Sequence, residues 1–516
     1  MQEDFGSTYL VKMYICFKTN LSQKTMNRHT IDMQAIARNA MGKYGFDSGF
    51  PLTVLEEVNA ISERIFADGD RDDRDMRDLL WSSIDNWDSM DLDQLEYCEL
   101  GPDDEIHVRV AIADVDLYVP KYSLADQFGA HNGTSVYTGI ETFPLFPDKL
   151  SRGITSLLPG HDRMAVVIEY SVLRDGNTRP GDVHRALVRN KAKLVYEVVG
   201  DWLEGISPAP KVVQEVPGLK EQLLLQLEVM QRLKKRRIAN GALDLDTLEA
   251  HAVLEQGSVK DLVVQKQNMA RNLIEEFMVA ANGTMVSFLG NANIPMIQRV
   301  VRVPRNWEGI VQVAGLYHEV LPAIPDPKAL SMFLDRRKQA DPGRFPDLSL
   351  AMIKLLGPGE YLTLEPGQPP YGHFALAVTD YTHGTAPNRR YVDLINQRLI
   401  KSVINRSENP YTAEELVHQS AWLTDREKAS KKVERFMRKA AAAVLLRSRI
   451  GESFEGLITG AKERGTYVRL IKPPAEGRIT RGERGLYVGQ KVRVRLLKTD
   501  PYNGFVDFEY TGGIKD

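Results

Sequence analysis

The chain has 516 residues, of which 43% are hydrophobic and 26% charged, with a formal net charge of −3 and an isoelectric point near 6.4. It is too long for one compact core and has the composition of a soluble globular protein, which implies two to four domains and gives no global sign of a nucleic-acid binder, although local charge decides that question. Only two cysteines occur, Cys16 and Cys98, in no CxxC arrangement; this argues against a disulfide scaffold or a cysteine zinc site and fits a reducing cytoplasm.

The first apolar run, "YLVKMYICF" (9–17), is about half the roughly 18–20 residues that span a bilayer, contains a lysine, and lacks a following small-residue cleavage site. No membrane association is therefore expected. Residues 1–25 form an uncertain N-terminal extension, either an alternative start or an appended remnant, or folded structure. "MNRHTIDMQAIARNAMGKYGFD" (26–47) repeats apolar residues at three- and four-residue intervals and predicts a helix. "PLTVLEEVNAISERIF" (51–66) predicts another, with Pro51 near its start. Residues 26–70 thus read as a helical module, winged-helix-like or simply helical, and "ADGDRDDRDMRDLL" (67–80) as a solvated linker.

Farther along, "IHVRVAIADVDLYVP" (106–120) has a strand signature and "YSVLRDGNTRPGDV" (170–183) reads as strand, turn, strand. Long helices are expected over 217–238 and 268–289, the second apolar on most faces and buried. The elements lack regular βαβ spacing, which gives a large α+β domain over 71–445 closed by a basic helix, "REKASKKVERFMRKAAAAVLLRSR" (426–449). Residues 451–516 change character: about five short strands separated by Gly, Pro and Asn turns, the size and pattern of a five-stranded OB-type barrel.

One stretch raises a chemical question. "SSIDNWDSMDLDQLEYCEL" (82–100) places Asp85, Asp91 and Asp93 in the spacing D-x5-D-x-D, on a turn between "SSID" and "LDQLEY", which read as strand ends. Like charges so close cost free energy unless a cation or proton neutralises them. A hard cation such as Mg2+ suits clustered carboxylate oxygens. A calcium EF-hand does not fit, because counting from Asp85 puts Trp87 at the third position and Met90 at the sixth, where that loop needs a ligand and a glycine. A solvated acidic loop is the competing possibility.

Context favours the metal. "IDNWDSMDLDQLEY" and "HVRVAIADVDLYV" (107–119) resemble the opening of the nuclease domain of the ribonuclease II/R family. "GTSVYTGIETFPLFPDKLSRGITSLLPGHDRMAVVIEY" (133–170), "NKAKLVYEVVGDWLEG" (190–205), "MARNLIEEFMVAAN" (269–282) and "TAPNRRYVDLINQRLI" (385–400) resemble its later blocks, in the same order. The C-terminal barrel is similar to the family's S1 domain. The resemblance implies an exoribonuclease that degrades single-stranded RNA processively, 3′→5′, to nucleoside 5′-monophosphates, with Mg2+ or alternatively Mn2+; a cytoplasmic monomer is expected.

By that resemblance Asp85 and Asp91 are metal ligands, Asp93 is the central catalytic carboxylate and a ligand, and Arg389 stabilises charge at the scissile phosphate, with Arg390 its possible substitute. Tyr137 and Tyr196 match aromatics that stack on bases near the 3′ end, and Glu275 matches a carboxylate near the terminal ribose. Two positions depart from the pattern. Gln94 stands where many members carry a second aspartate, and Leu245 where some carry a phenylalanine that sandwiches the last bases. Gln94 keeps a carbonyl oxygen toward the metal but not a charge, and Asp88 is near enough to compensate. The alternative is therefore an RNA-binding protein with a weakened or inactive site. About 70 residues precede the nuclease blocks, too few for two cold-shock barrels; the N-terminal helices could contact duplex RNA or a protein instead.

Overall fold

The computed structural model describes residues 31–63, 73–246, 250–255, 258–264, 267–462 and 465–514. Its central element is a seven-stranded sheet built from β1 (Arg74–Asp75), β2 (Ser82–Asp85), β3 (Gln94–Leu100), β4 (Ile106–Ala113), β7 (Asp162–Val172), β8 (Thr178–Arg189) and β9 (Ala192–Val195), in the order β1-β8-β7-β4-β3-β2-β9. A small pair, β5 (Val136–Tyr137) and β6 (Thr142–Phe143), lies outside it. β1–β8 and β2–β9 are parallel; the other sheet pairs are antiparallel.

The hairpin β7–β8 turns at Gly176, whose φ of 82° suits glycine; a Cβ there would also lie 2.2 Å from the Arg232 carbonyl oxygen. β4 is buried along most of its length and fills the core with Val108, Val110 and Ile112 beside Trp81, Ile84 and Leu95. Each fully buried aliphatic side chain contributes about 1.5–3 kcal/mol relative to exposure. The expected helices form at Leu219–Asn240 and Met269–Asn291 and pack on this sheet; the Tyr170 hydroxyl donates to the Phe277 carbonyl at 3.4 Å.

Helix Tyr391–Ile404 is enclosed on nearly every side, so its charges are paired. Arg398 donates to Asp116 and Asp126 at 2.9 and 2.7 Å, and Lys401 to Asp114 at 2.7 Å. A separate helical unit (Trp307–Leu316, Pro327–Ala340, Phe345–Leu356) has its own core around Ile310, Phe333 and Met352.

The basic helix is the second half of a longer one, Ala413–Leu446, started by a capping box between Thr412 and Glu415. Beyond it Ser453–Lys462, Gly465–Leu470, Glu476–Arg481, Lys491–Asp500 and Phe505–Gly513 close the expected five-stranded barrel. The barrel does not have a wholly private core. Ile458, Val468 and Phe508 belong to one buried cluster with Met437 of the long helix and with Met33, Met41 and Phe46 near the N-terminus.

Four expectations change in detail. The first helix runs Met33–Lys43, N-capped by Asp32 and ended before Gly45 at φ 78°; residues 26–30 lie outside the described part. The second runs Leu52–Ala60, with Pro51 as its N-cap, and 64–66 again lie outside. No strand accompanies these helices within 31–63, so no winged-helix wing forms there. The run 67–80 is not all linker: its described part contributes edge strand β1, and Arg77 pairs with Asp75 and Asp162 at 2.6 and 3.0 Å. Residues 1–25 and 67–72 lie outside the described residues. Among the described residues no helix is long and apolar enough to cross a membrane.

Candidate active site

β2 and β3 are antiparallel neighbours, so Asp85, which ends one, and Gln94, which begins the other, are carried by adjacent strands. The loop between them bears Asp91 and Asp93 and is pinned from outside. Ser156 Oγ donates to the Met90 carbonyl at 2.6 Å and accepts from Leu92 N–H at 3.0 Å. Leu92 is wholly buried, and Lys193 Nζ donates to the Trp87 carbonyl at 3.1 Å.

Asp93 is only 2% exposed. Its Oδ1 accepts the Asn388 N–H at 3.0 Å, its carbonyl accepts Ala113 N–H at 3.0 Å, and Arg389 Nε lies 3.5 Å from Oδ2. Asn388 in turn accepts from Thr155 Oγ1 at 2.7 Å. Thr155 and Ser156 therefore tie the arginine loop and the aspartate loop to one point. The expected result of Thr155→Val, which deletes that bond together with the one Thr155 Oγ1 donates to the Leu150 carbonyl at 2.8 Å, is a drop in the single-turnover rate of roughly tenfold with RNA affinity unchanged, and recovery in Thr155→Ser. Single-turnover cleavage and anisotropy titrations check it.

Burial pushes the Asp93 carboxyl up to about 7 and nearby Asp91 adds to the rise, while Arg389 and the Asn388 N–H oppose it. Burial likewise lifts Asp85 to about 6, with Arg389, Lys193 and Arg271 opposing. Tyr137, on β5, borders this group and is 42% exposed; its hydroxyl lies near Arg389, and burial pushes it up to about 12. Tyr196 lies near Asp85, with the Arg271 guanidinium 4.3 Å above its ring; burial, then Asp85, raises its hydroxyl.

Asp85, Asp91, Asp93, Arg389, Tyr137 and Tyr196 therefore form one connected group. Gln94 is buried on the adjoining strand, and its side chain makes no hydrogen bond among the described residues. Glu275 and Leu245 line a separate hollow with Lys234 and Asn272, where Arg237 Nη2 donates to Glu275 at 3.0 Å but is held chiefly by buried Glu276. Arg390 turns away from the carboxylates and forks onto Asp393 at 2.6 and 2.8 Å. Sequence reasoning missed Thr155, Ser156 and Asn388. All three lie in blocks that carried the resemblance, but their role is a tertiary contact that no local pattern encodes.

The donor set fits a hard divalent cation: Asp85 Oδ2 is buried with no hydrogen-bond partner among the described residues, and two further carboxylates adjoin it. Among the described residues no three His, Cys, Asp or Glu side chains meet as a complete ligand set. That is compatible with Mg2+, which usually keeps several waters and shares substrate phosphate oxygens.

This fold and this group of residues define a metal-dependent type of nuclease. Residues 73–406 match the RNB domain, and 452–511 match the RNase II-type exonuclease C-terminal S1 domain. The chain belongs to this family and is an exoribonuclease, a hydrolase of RNA. Ribonuclease R of Thermotoga maritima is 28% identical over 498 residues, covering 89% of this chain and 68% of its own. Mycoplasma genitalium RNase R, solved in complex with ribose-methylated single-stranded RNA, shares the fold at a TM-score of 0.82 and 22% identity, covering 93% and 78% of the two chains. Yeast Ssd1, described as a pseudonuclease, shares it at 0.66 and 15%, covering 90% and 58%.

Proposed function

We propose that this 3′→5′ exoribonuclease acts processively on single-stranded RNA, releases nucleoside 5′-monophosphates and uses Mg2+. The observation that carries the proposal is the meeting of Asp85, Asp91 and Asp93 with Arg389, between Tyr137 and Tyr196.

Asp85, Asp91 and Asp93 would hold the cation, which when bound activates water and neutralises charge on the scissile phosphate. Arg389, tethered at Asp93 but 46% exposed, reaches a phosphate oxygen and stabilises the charge that develops there. Asp93 Oδ2, held by burial near neutrality, orients the attacking water and is poised to take its proton. Tyr137 and Tyr196 stack on the terminal bases; stacking tolerates any base, as a processive enzyme requires. Glu275, in its separate hollow, contacts the terminal ribose 2′-OH, and Leu245 packs beside it with less stacking than an aromatic ring would give.

Gln94 favours a second reading, an RNA-binding protein without turnover. Against it, the remaining carboxylates and Arg389 are all in place, with Arg389 Nε 3.5 Å from Asp93 Oδ2. Incubating 5′-labelled single-stranded RNA with the protein, in Mg2+ or chelator, separates the two. The expected result is Mg2+-dependent collapse to a short 5′ remnant with few intermediates. Tight binding without cleavage, in Mg2+ or Mn2+, would hand the case to the second reading.

A further inference from the structure

Beneath the aspartates lies a group of buried acceptors that the mechanism above does not use. Glu96 has no exposed surface, and neither of its carboxylate oxygens has a hydrogen-bond partner among the described residues. Across the strand pair it stands opposite Ser82, whose Oγ is also unpartnered, and Asp85 ends that same strand three residues on with Oδ2 unpartnered. Gln226, wholly buried on helix Leu219–Asn240, reaches the Glu96 carbonyl with Nε2 at 3.4 Å and leaves Oε1 without a partner. Asp85 is near enough to bear on the charge of Glu96, and both bear on Tyr196.

Buried polar atoms are ordinarily satisfied, and an unpaired carboxylate in a core costs several kcal/mol. Here oxygens of four side chains on or against one strand pair lack partners, and among the described residues no lysine, arginine or histidine pairs with Glu96. Such a set suits a hard cation. Position matters too. Gln94 and Glu96 are two apart on one strand, so their side chains leave the same face about 7 Å apart. The neutral amide and the unpartnered carboxylate are thus neighbours along one row.

We propose that Glu96, with Asp85, supplies to the divalent cation the carboxylate that position 94 lacks, so that the acidic ligand has moved two residues along β3 rather than disappeared. This rests on the metal-dependent nuclease function proposed above. Ser82, paired across from Glu96, and Gln226, bonded to the Glu96 carbonyl, carry further unpartnered oxygens beside it.

Titration of Mn2+ onto the full chain without RNA, followed by electron paramagnetic resonance of the free ion, tests it directly. Glu96→Gln preserves size and removes the charge; it should weaken Mn2+ affinity roughly tenfold or more. Gln94→Asp combined with Glu96→Gln moves the charge back and should restore affinity to within about threefold of wild type, on the order of 0.7 kcal/mol. Melting in chelator controls for folding, and wild type should gain more thermal stability from Mn2+ than Glu96→Gln does. Affinity within about twofold of wild type in Glu96→Gln would overturn the proposal and leave Glu96 a neutral, packed acid. Loss without recovery in the double variant would overturn the relocation, and so would absence of Mn2+ binding by wild type. Normal Mn2+ behaviour with no RNA hydrolysis would instead sink the exonuclease function and leave Glu96 as a ligand.

Discussion

Asp93→Asn should lower the single-turnover rate of RNA hydrolysis by at least about 10³-fold while the protein still folds and binds RNA. The substitution preserves volume in a site that is 2% exposed, so a packing defect is not the cause. What changes is charge. Oδ1 accepts the Asn388 N–H and Oδ2 faces Arg389, so both oxygens act as acceptors, and an amide must turn an NH2 toward one of these donors. The amide also cannot take a proton from water. Measured binding in chelator, beside single-turnover cleavage in Mg2+, separates lost chemistry from lost affinity. Near wild-type cleavage would remove Asp93 from the centre of the site.

The same residue makes a pH signature. Its folded pKa, about 7, lies above the ordinary carboxyl value of 3.8, so between these values the folded state binds more protons than the unfolded. Stability of the metal-free protein should therefore fall as pH rises from about 4 to 7, and Asp85, lifted to about 6, adds to the fall. Asp93→Asn should flatten that slope in chelator. The ionised carboxylates are the active form, so the rate should decline below pH 7, and more divalent cation should move that limb to lower pH. Melting and rate profiles at two metal concentrations check both limbs.

How much of this was legible in the sequence depends on whether the cause is local. Period and turn chemistry announced the long helices, the β7–β8 hairpin and the five-stranded barrel, because each is dictated by its own residues. The strands flanking the aspartates were legible too, although β3 opens at Gln94 rather than at the Leu92 of "LDQLEY". The short pairing of Arg74–Asp75 with β8 was hidden, since a charged run looks solvated until a partner edge is known. Thr155, Ser156 and Asn388 were hidden for the same reason: a hydroxyl that joins residues 155 and 388 leaves no periodic trace. Glu96 was visible as one acid among six in its stretch, but only burial without a partner sets it apart. The barrel's place in the chain was legible while its shared core was not, so removing 451–516 would strip packing from the N-terminal and long helices as well as an RNA surface.

Neighbouring arginines offer the sharpest division between chemistry and architecture. Arg389→Lys keeps a positive charge but loses the planar fork, and it should reduce the single-turnover rate roughly 10²- to 10³-fold with RNA affinity changed only severalfold. Arg389 is suited to this because it is half open to the substrate side, 3.5 Å from Asp93 and close to the Tyr137 hydroxyl, so its remaining N–H groups face incoming phosphate. Arg390→Lys should behave oppositely. Arg390 is committed through two bonds to Asp393, which has no exposed surface and itself accepts the Ala386 N–H at 2.8 Å at the turn that presents Asn388 and Arg389. Lysine satisfies one of those bonds at most, and breaking a buried pair costs about 3–5 kcal/mol. The expected outcome for Arg390→Lys is a lowered melting temperature, with the rate per folded molecule falling less than in Arg389→Lys. Thermal melts and active-site titration of the two variants decide it; a kinetic defect in Arg390→Lys as deep as that of Arg389→Lys, without loss of stability, would transfer the phosphate role to Arg390.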